Sequence, residues 1–139
     1  MPNVVSSERI LGSPDQSAGP GPHFMAADTL TKEKVVNEAG EVLGEIKHIM
    51  LDVTNGLIAY AVLSFGGFLG LGDKLFAVPW TALALDVENK WFVLNIDKKK
   101  LRDAPGFDKD HWPVMADPAW ASQVRAYYGP VAVSRRPFI

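Results

Sequence analysis

The stretch from Asn37 to Trp80, NEAGEVLGEIKHIMLDVTNGLIAYAVLSFGGFLGLGDKLFAVPW, decides the fold. It alternates apolar runs with turn chemistry. Val35–Val36 leads into Asn37-Glu38-Ala39-Gly40-Glu41, a glycine-containing turn, and the apolar run resumes at Val42–Leu43 and continues from Glu45 to Val53. Thr54-Asn55-Gly56 then interrupts it. Asn-Gly tolerates positive φ at both central turn positions and so marks a hairpin. The returning strand, Leu57 to Phe65, reads LIAYAVLSF. A strand with one wet face would alternate polar and apolar residues, so this one is expected to be covered on both sides. The cover is a barrel core on one side and a helix or a second subunit on the other.

Working outward, Lys74 to Val78 reads as a strand that Pro79 ends by removing a ladder donor. Thr81 to Val87 and Trp91 to Ile96 are two more, joined by the polar turn Glu88-Asn89-Lys90. Six short, closely spaced strands predict a mainly β protein, a small six-stranded barrel or twisted sheet. After Ile96 the texture turns helical. Asp97 can cap a brief turn over Lys98 to Arg102, and Ala104-Pro105-Gly106-Phe107 breaks it. Asp117 caps a second helix with Pro118 at its first position, running to about Tyr127 and stopped by Gly129. Trp120, Val124 and Tyr127 or Tyr128 form one apolar stripe on that helix.

Residues 1–27 differ from the rest, carrying Pro2, Pro14, Pro20 and Pro22, Gly12, Gly19 and Gly21, and four serines. Such a segment buries too little to offset roughly 1–2 kcal/mol of backbone entropy per residue. A disordered N-terminal arm is expected there, then a domain over 28–129, then a flexible tail over 130–139.

Composition narrows the function. Fourteen Lys and Arg stand against 16 Asp and Glu in 139 residues, a net charge of −2, so there is no basic footprint for nucleic acid. Zero cysteine removes disulfides, thiolate catalysis and Cys-ligated metal together. No apolar run approaches the ~20 residues of a membrane helix, and the first residues lack the pattern of a secretory signal. A cytoplasmic protein without membrane insertion is expected.

Catalytic and cofactor motifs fail on mechanism. Gly66, Gly67, Gly70 and Gly72 precede Lys74, but Asp73 intervenes and a strand follows where a phosphate loop needs a helix. His23, His48 and His111 show no ligand spacing. Asp108 and Asp110 lack the remaining ligands of a calcium loop. Ser64 sits in no nucleophile elbow. The paired acids Glu41/Glu45 and Asp108/Asp110 read as solvated turn residues, and the run Lys98-Lys99-Lys100-Arg102 as a solvated helical turn. No catalytic, cofactor or metal residue is assigned, and the chain is read as a non-enzyme. The apolar residues of the glycine loop are more telling. Phe65, Phe68, Leu69 and Leu71 either plug the end of the barrel or form a patch that marks a partner surface. Together with Tyr60 they make the candidate interaction surface.

The span from about Thr29 to Ile96 resembles the PRC-barrel, the small β-barrel named after the photosynthetic reaction centre H subunit and also found in a ribosome maturation factor. The resemblance rests on Gly40, Leu43 and Gly44, on Asp52 before the hairpin turn, and on the Val78-Pro79-Trp80 ending. Ala104 to Trp120, APGFDKDHWPVMADPAW, is similar to the tail of stand-alone bacterial members, several of them stress-associated by name. The resemblance implies a protein-interaction module that associates with itself, as a homodimer, or with another protein. The alternatives are a small-ligand binder or enzyme at the barrel mouth near Tyr60, Asp73 and Lys74, and, ranked last, an assembly factor for a ribosomal or photosynthetic complex.

Overall fold

A computed structural model describes residues 4–6, 10–12, 24–65, 74–131 and 133–135. Its strands are β1 (Val4–Ser6), β2 (Ile10–Leu11), β3 (Lys34–Val36), β4 (Val42–Asp52), β5 (Leu57–Ser64), β6 (Leu75–Pro79), β7 (Ala84–Asp86), β8 (Trp91–Val93) and β9 (Val133–Arg135). The helices are α1 (Lys98–Arg102) and α2 (Pro118–Tyr128). Seven strands form one sheet in the order β2-β7-β8-β3-β4-β5-β6, and β1 pairs with β9 in a second, two-stranded sheet.

All six expected strands are present, and the fold is mainly β. Two details differ. The large sheet is open, with β2 and β6 at its edges, rather than a closed barrel. Its seventh strand comes from the stretch expected to be a disordered arm: Ile10 and Leu11 lie parallel to Leu85 and Asp86, and the Val87 amide donates to the Leu11 carbonyl at 3.0 Å. The arm's few apolar residues suffice because Leu11 packs on a second apolar cluster of Val36, Ala84, Val93 and Val131. Val133–Arg135, in the stretch expected to be a flexible tail, pairs antiparallel with Val4–Ser6.

The turns follow from local chemistry. Leu51-Asp52-Val53-Thr54-Asn55-Gly56 and Leu85-Asp86-Val87-Glu88-Asn89-Lys90 are near-repeats that build the same four-residue hairpin loop. In the first, Asp52 Oδ1 accepts from the amides of Thr54 and Asn55, and Oδ2 from the Asn55 side chain at 2.8 Å. In the second, Asp86 does the same with Glu88 and Asn89, the side-chain bond again 2.8 Å. The loop closes by donation from the Gly56 amide to the Asp52 carbonyl and from Lys90 to Asp86. The Asn-Gly pair therefore does not use positive φ at both positions; only Gly56, at φ 69°, does, and Lys90 takes φ 59° in its place. At the other turn Asn37, buried and polar, exchanges side-chain hydrogen bonds with the Glu41 amide and carboxylate, each 2.9 Å.

Both faces of the sheet are dry where β5 crosses it. Tyr60, Ala61, Val62 and Leu63 are all buried in succession, as are all five residues of β6. Successive side chains point to opposite faces, so neither face of β5 from Tyr60 to Leu63, nor of β6, meets water. The inner face carries Ile46, paired with Leu63, and joins Val35, Leu43, Phe76, Val78 and Phe92 in the main core. Each fully buried side chain of this kind contributes about 1.5–3 kcal/mol.

The other face is covered by the chain's own C-terminal segment. Phe107 forms a two-hydrogen-bond bridge to Leu75, at 2.7 and 2.9 Å. Trp112 meets the His48 ring edge-on at 5.4 Å, and Trp120 meets Tyr60 at 5.2 Å. Helix α2 packs on β6, with Val124 fully buried. As expected, Asp117 caps α2, accepting from the Ala119 amide, and Asp97 caps α1. Of the two covers the sequence left open, helix or second subunit, the helical segment is the one in place.

Two glycines test this geometry by urea unfolding. A Cβ at Gly56 would meet nothing within 4 Å, so Gly56→Ala should cost only the left-handed backbone penalty, about 1 kcal/mol. A Cβ at Gly44 would stand 2.3 Å from the Ser64 carbonyl oxygen, so Gly44→Ala, which forces β4 and β5 apart, should cost at least twice as much.

Candidate interaction surface

Four aspartates are committed to local structure. Asp52 and Asp86 hold the two hairpin loops, and Asp97 and Asp117 cap helices. The Asn55 side chain holds the Asp52 carboxyl below the ordinary carboxylate range. The His111 side chain, 2.8 Å from Asp108, does the same to that carboxyl. General acid–base work near neutral pH requires a carboxyl shifted the other way. Among the described residues, no group of three or more His, Asp or Glu could hold a metal ion.

The residues of the barrel-mouth alternative are not brought together. Tyr60 pairs with Pro79 at one end of β6, while Lys74 precedes Leu75 at the other end, five residues or about 16 Å along the strand. The Lys74 amine donates to the Arg102 carbonyl at 3.3 Å and lies 5.1 Å from the centre of the Phe76 ring. Asp73 lies outside the described residues.

The expected interaction surface needs correction. Phe65 is 3% exposed and meets Phe76 edge-on at 6.2 Å. Tyr60 is 7% exposed, with Trp120 over it. Neither can face a partner, and Phe65 takes the inward of the two orientations open to it. The physical reasons differ: Phe65 packs into the main core against Phe76, whereas Tyr60 lies under the C-terminal segment, which takes the face that a second subunit was free to cover. Phe68, Leu69 and Leu71 lie outside the described residues.

Exposed apolar groups stand elsewhere, at the tip of the β4–β5 hairpin. Leu51 is 58% exposed, Val53 84% and Leu57 61%. They are bare because the hairpin outruns its neighbours. Of the hairpin, β3 pairs with β4 over Val42–Glu45 and β6 with β5 over Tyr60–Ser64. The end of the hairpin, where Leu51 lies opposite Ile58 and Asp52 opposite Leu57, projects as a two-stranded ribbon. The matching hairpin β7–β8 is treated differently: Val87, the equivalent of Val53, is partly buried and bonded to β2. An available signal for the ribbon is apolar residues on both shoulders of a polar loop, which reads as ordinary strand until neighbouring strand lengths are known.

A small, open β-sheet backed by its own C-terminal segment is the class of protein these features define. The family model for the PRC-barrel domain matches residues 22–101, more than half of the chain, and the chain belongs to that family. A search of the curated proteins found no match. Among the described residues, no helix is long and apolar enough to cross a membrane.

One core group is out of balance. Tyr128 is 8% exposed, and among the described residues its hydroxyl has no hydrogen-bond partner. Burial pushes its ionisation up. A buried unsatisfied hydroxyl costs about 1–3 kcal/mol, so Tyr128→Phe should raise the unfolding free energy by about 1 kcal/mol in urea titration. Tyr127→Phe should lower it, because its hydroxyl donates to the Lys100 carbonyl and ties α2 to α1.

Proposed function

We propose that this protein is a non-enzymatic interaction module that associates with itself, most simply as a homodimer, through the projecting β4–β5 ribbon. The observation that carries the reading is the ribbon's tip, where Leu51, Val53 and Leu57 stand in water within seven residues. An isolated two-stranded ribbon is marginal in water and gains from being packed. Leu51 shares a ribbon face with Ile58 and Leu57 shares the opposite face with Asp52, so exposed apolar side chains flank the tip on both faces. A second copy supplies a matching ribbon about a two-fold axis, and that arrangement uses one surface twice. The Asp52 carboxylate at the tip is already met by three N–H groups, so it enters a contact less exposed than a free carboxylate. Membership of the PRC-barrel family supports a compact module of this kind without fixing its partner. A cytoplasmic location is part of this reading.

Sedimentation velocity tests it. Wild-type chain at tens of micromolar should sediment at about twice 15.2 kDa. The triple variant Leu51→Asp/Val53→Asp/Leu57→Asp should sediment as one chain. Its unfolding midpoint should stay close to wild type, because exposed substitutions usually change stability by less than ~0.5 kcal/mol. A wild-type chain that stays single across this range overturns the proposal.

A further inference from the structure

The N-terminal segment pairs with the fold in an unusual way. Its two strands make no pairing with β3 to β6. β2 lies on the outer edge of β7, and β1 on β9. These pairings are short, two residues and three, and join parts of the chain more than seventy residues apart. Both lie on the same side of the molecule, since Val131, just before β9, donates to the Thr81 carbonyl just before β7. The side chain seated there is Leu11, which rests with Trp91 on the cluster of Val36, Ala84, Val93 and Val131, separate from the main core. Gly12, directly after β2, takes φ 82°, and a Cβ there would lie 2.7 Å from Glu88 Cγ.

From this we propose that the outer edge of β7 is a strand-accepting site and that, in the dimer, the Ile10–Leu11 segment of each copy occupies the edge of the other. The proposal rests on the self-association put forward above and names its exchange partner. The argument is thermodynamic. Every contact Ile10 and Leu11 make with β7 and its cluster can be made identically with the β7 of a second copy, so exchange sacrifices no contact. What decides between the two is local concentration, on the order of millimolar for a segment tethered to its own chain. In a dimer the second copy's segment competes for the same edge at a concentration set by the separation of the two β7 edges. The eleven residues between Gly12 and Phe24 can span at most about 40 Å, enough to cross to a neighbouring molecule. A two-residue pairing also opens at little cost compared with the long β4–β5 pairing.

The chain contains no cysteine, so introduced thiols report without background. Ile10 and Leu85 are direct partners, and neighbouring strands run about 4.8 Å apart, within disulfide reach. Chains carrying Ile10→Cys and chains carrying Leu85→Cys are mixed at tens of micromolar and oxidised mildly. The expected product is a covalent heterodimer whose peptide map joins the two introduced thiols, lost when Leu11→Asp is added to the first chain. The double variant in a single chain should close as well, and failure to close overturns the β2–β7 pairing and the proposal with it. A wild-type dimer by sedimentation with no such heterodimer overturns the exchange and leaves the ribbon reading standing. A single-chain mass with no heterodimer overturns both.

Discussion

The fold depends on keeping water from both faces of β5 at once. Tyr60 to Leu63 are buried in unbroken succession, and no single sheet face can achieve that. The inner face is dried by the strands around Ile46, Phe76 and Phe92. The outer face is met by Trp112 and Trp120, carried on a segment that bridges to the β6 edge at Leu75 through Phe107 and ends in α2. The capping chemistry of Asp97 and Asp117 and the Gly106 approach to Leu75 and Phe76 follow from that requirement, because each fixes the path of the cover.

Much of this is legible in the sequence, and the reasons for success and failure are physical. The six central strands are readable because their turns carry their own chemistry, as the paired Leu-Asp-Val-x-Asn loops show. Helix α2 is readable because Asp117, Pro118 and Gly129 mark its ends independently of packing. That β5 is covered twice is readable from the lack of alternation in LIAYAVLSF. What covers it is not, since an apolar face looks the same to a helix of its own chain and to a second subunit. β2 is hidden for a related reason: two residues carry no periodicity, and only the satellite cluster beneath Leu11 makes them a strand.

The functional surface shows the same limit in reverse. Phe65 and Tyr60 look like surplus when the chain is read locally and turn out to be core. Leu51, Val53 and Leu57 look like strand and turn out to be bare, because strand length relative to neighbours decides exposure and is a property of the sheet. Apolar excess therefore exists in this chain, but in the ribbon tip rather than in the middle of β5.

The most direct test of the C-terminal cover is the unfolding free energy of Trp120→Ala in urea. If Trp120 is what dries the Tyr60 side of β5, its truncation should cost about 3 kcal/mol, by the same amount at every protein concentration. A loss below ~0.5 kcal/mol would contradict the account, since it would mean that something other than the chain's own C-terminal segment covers that face.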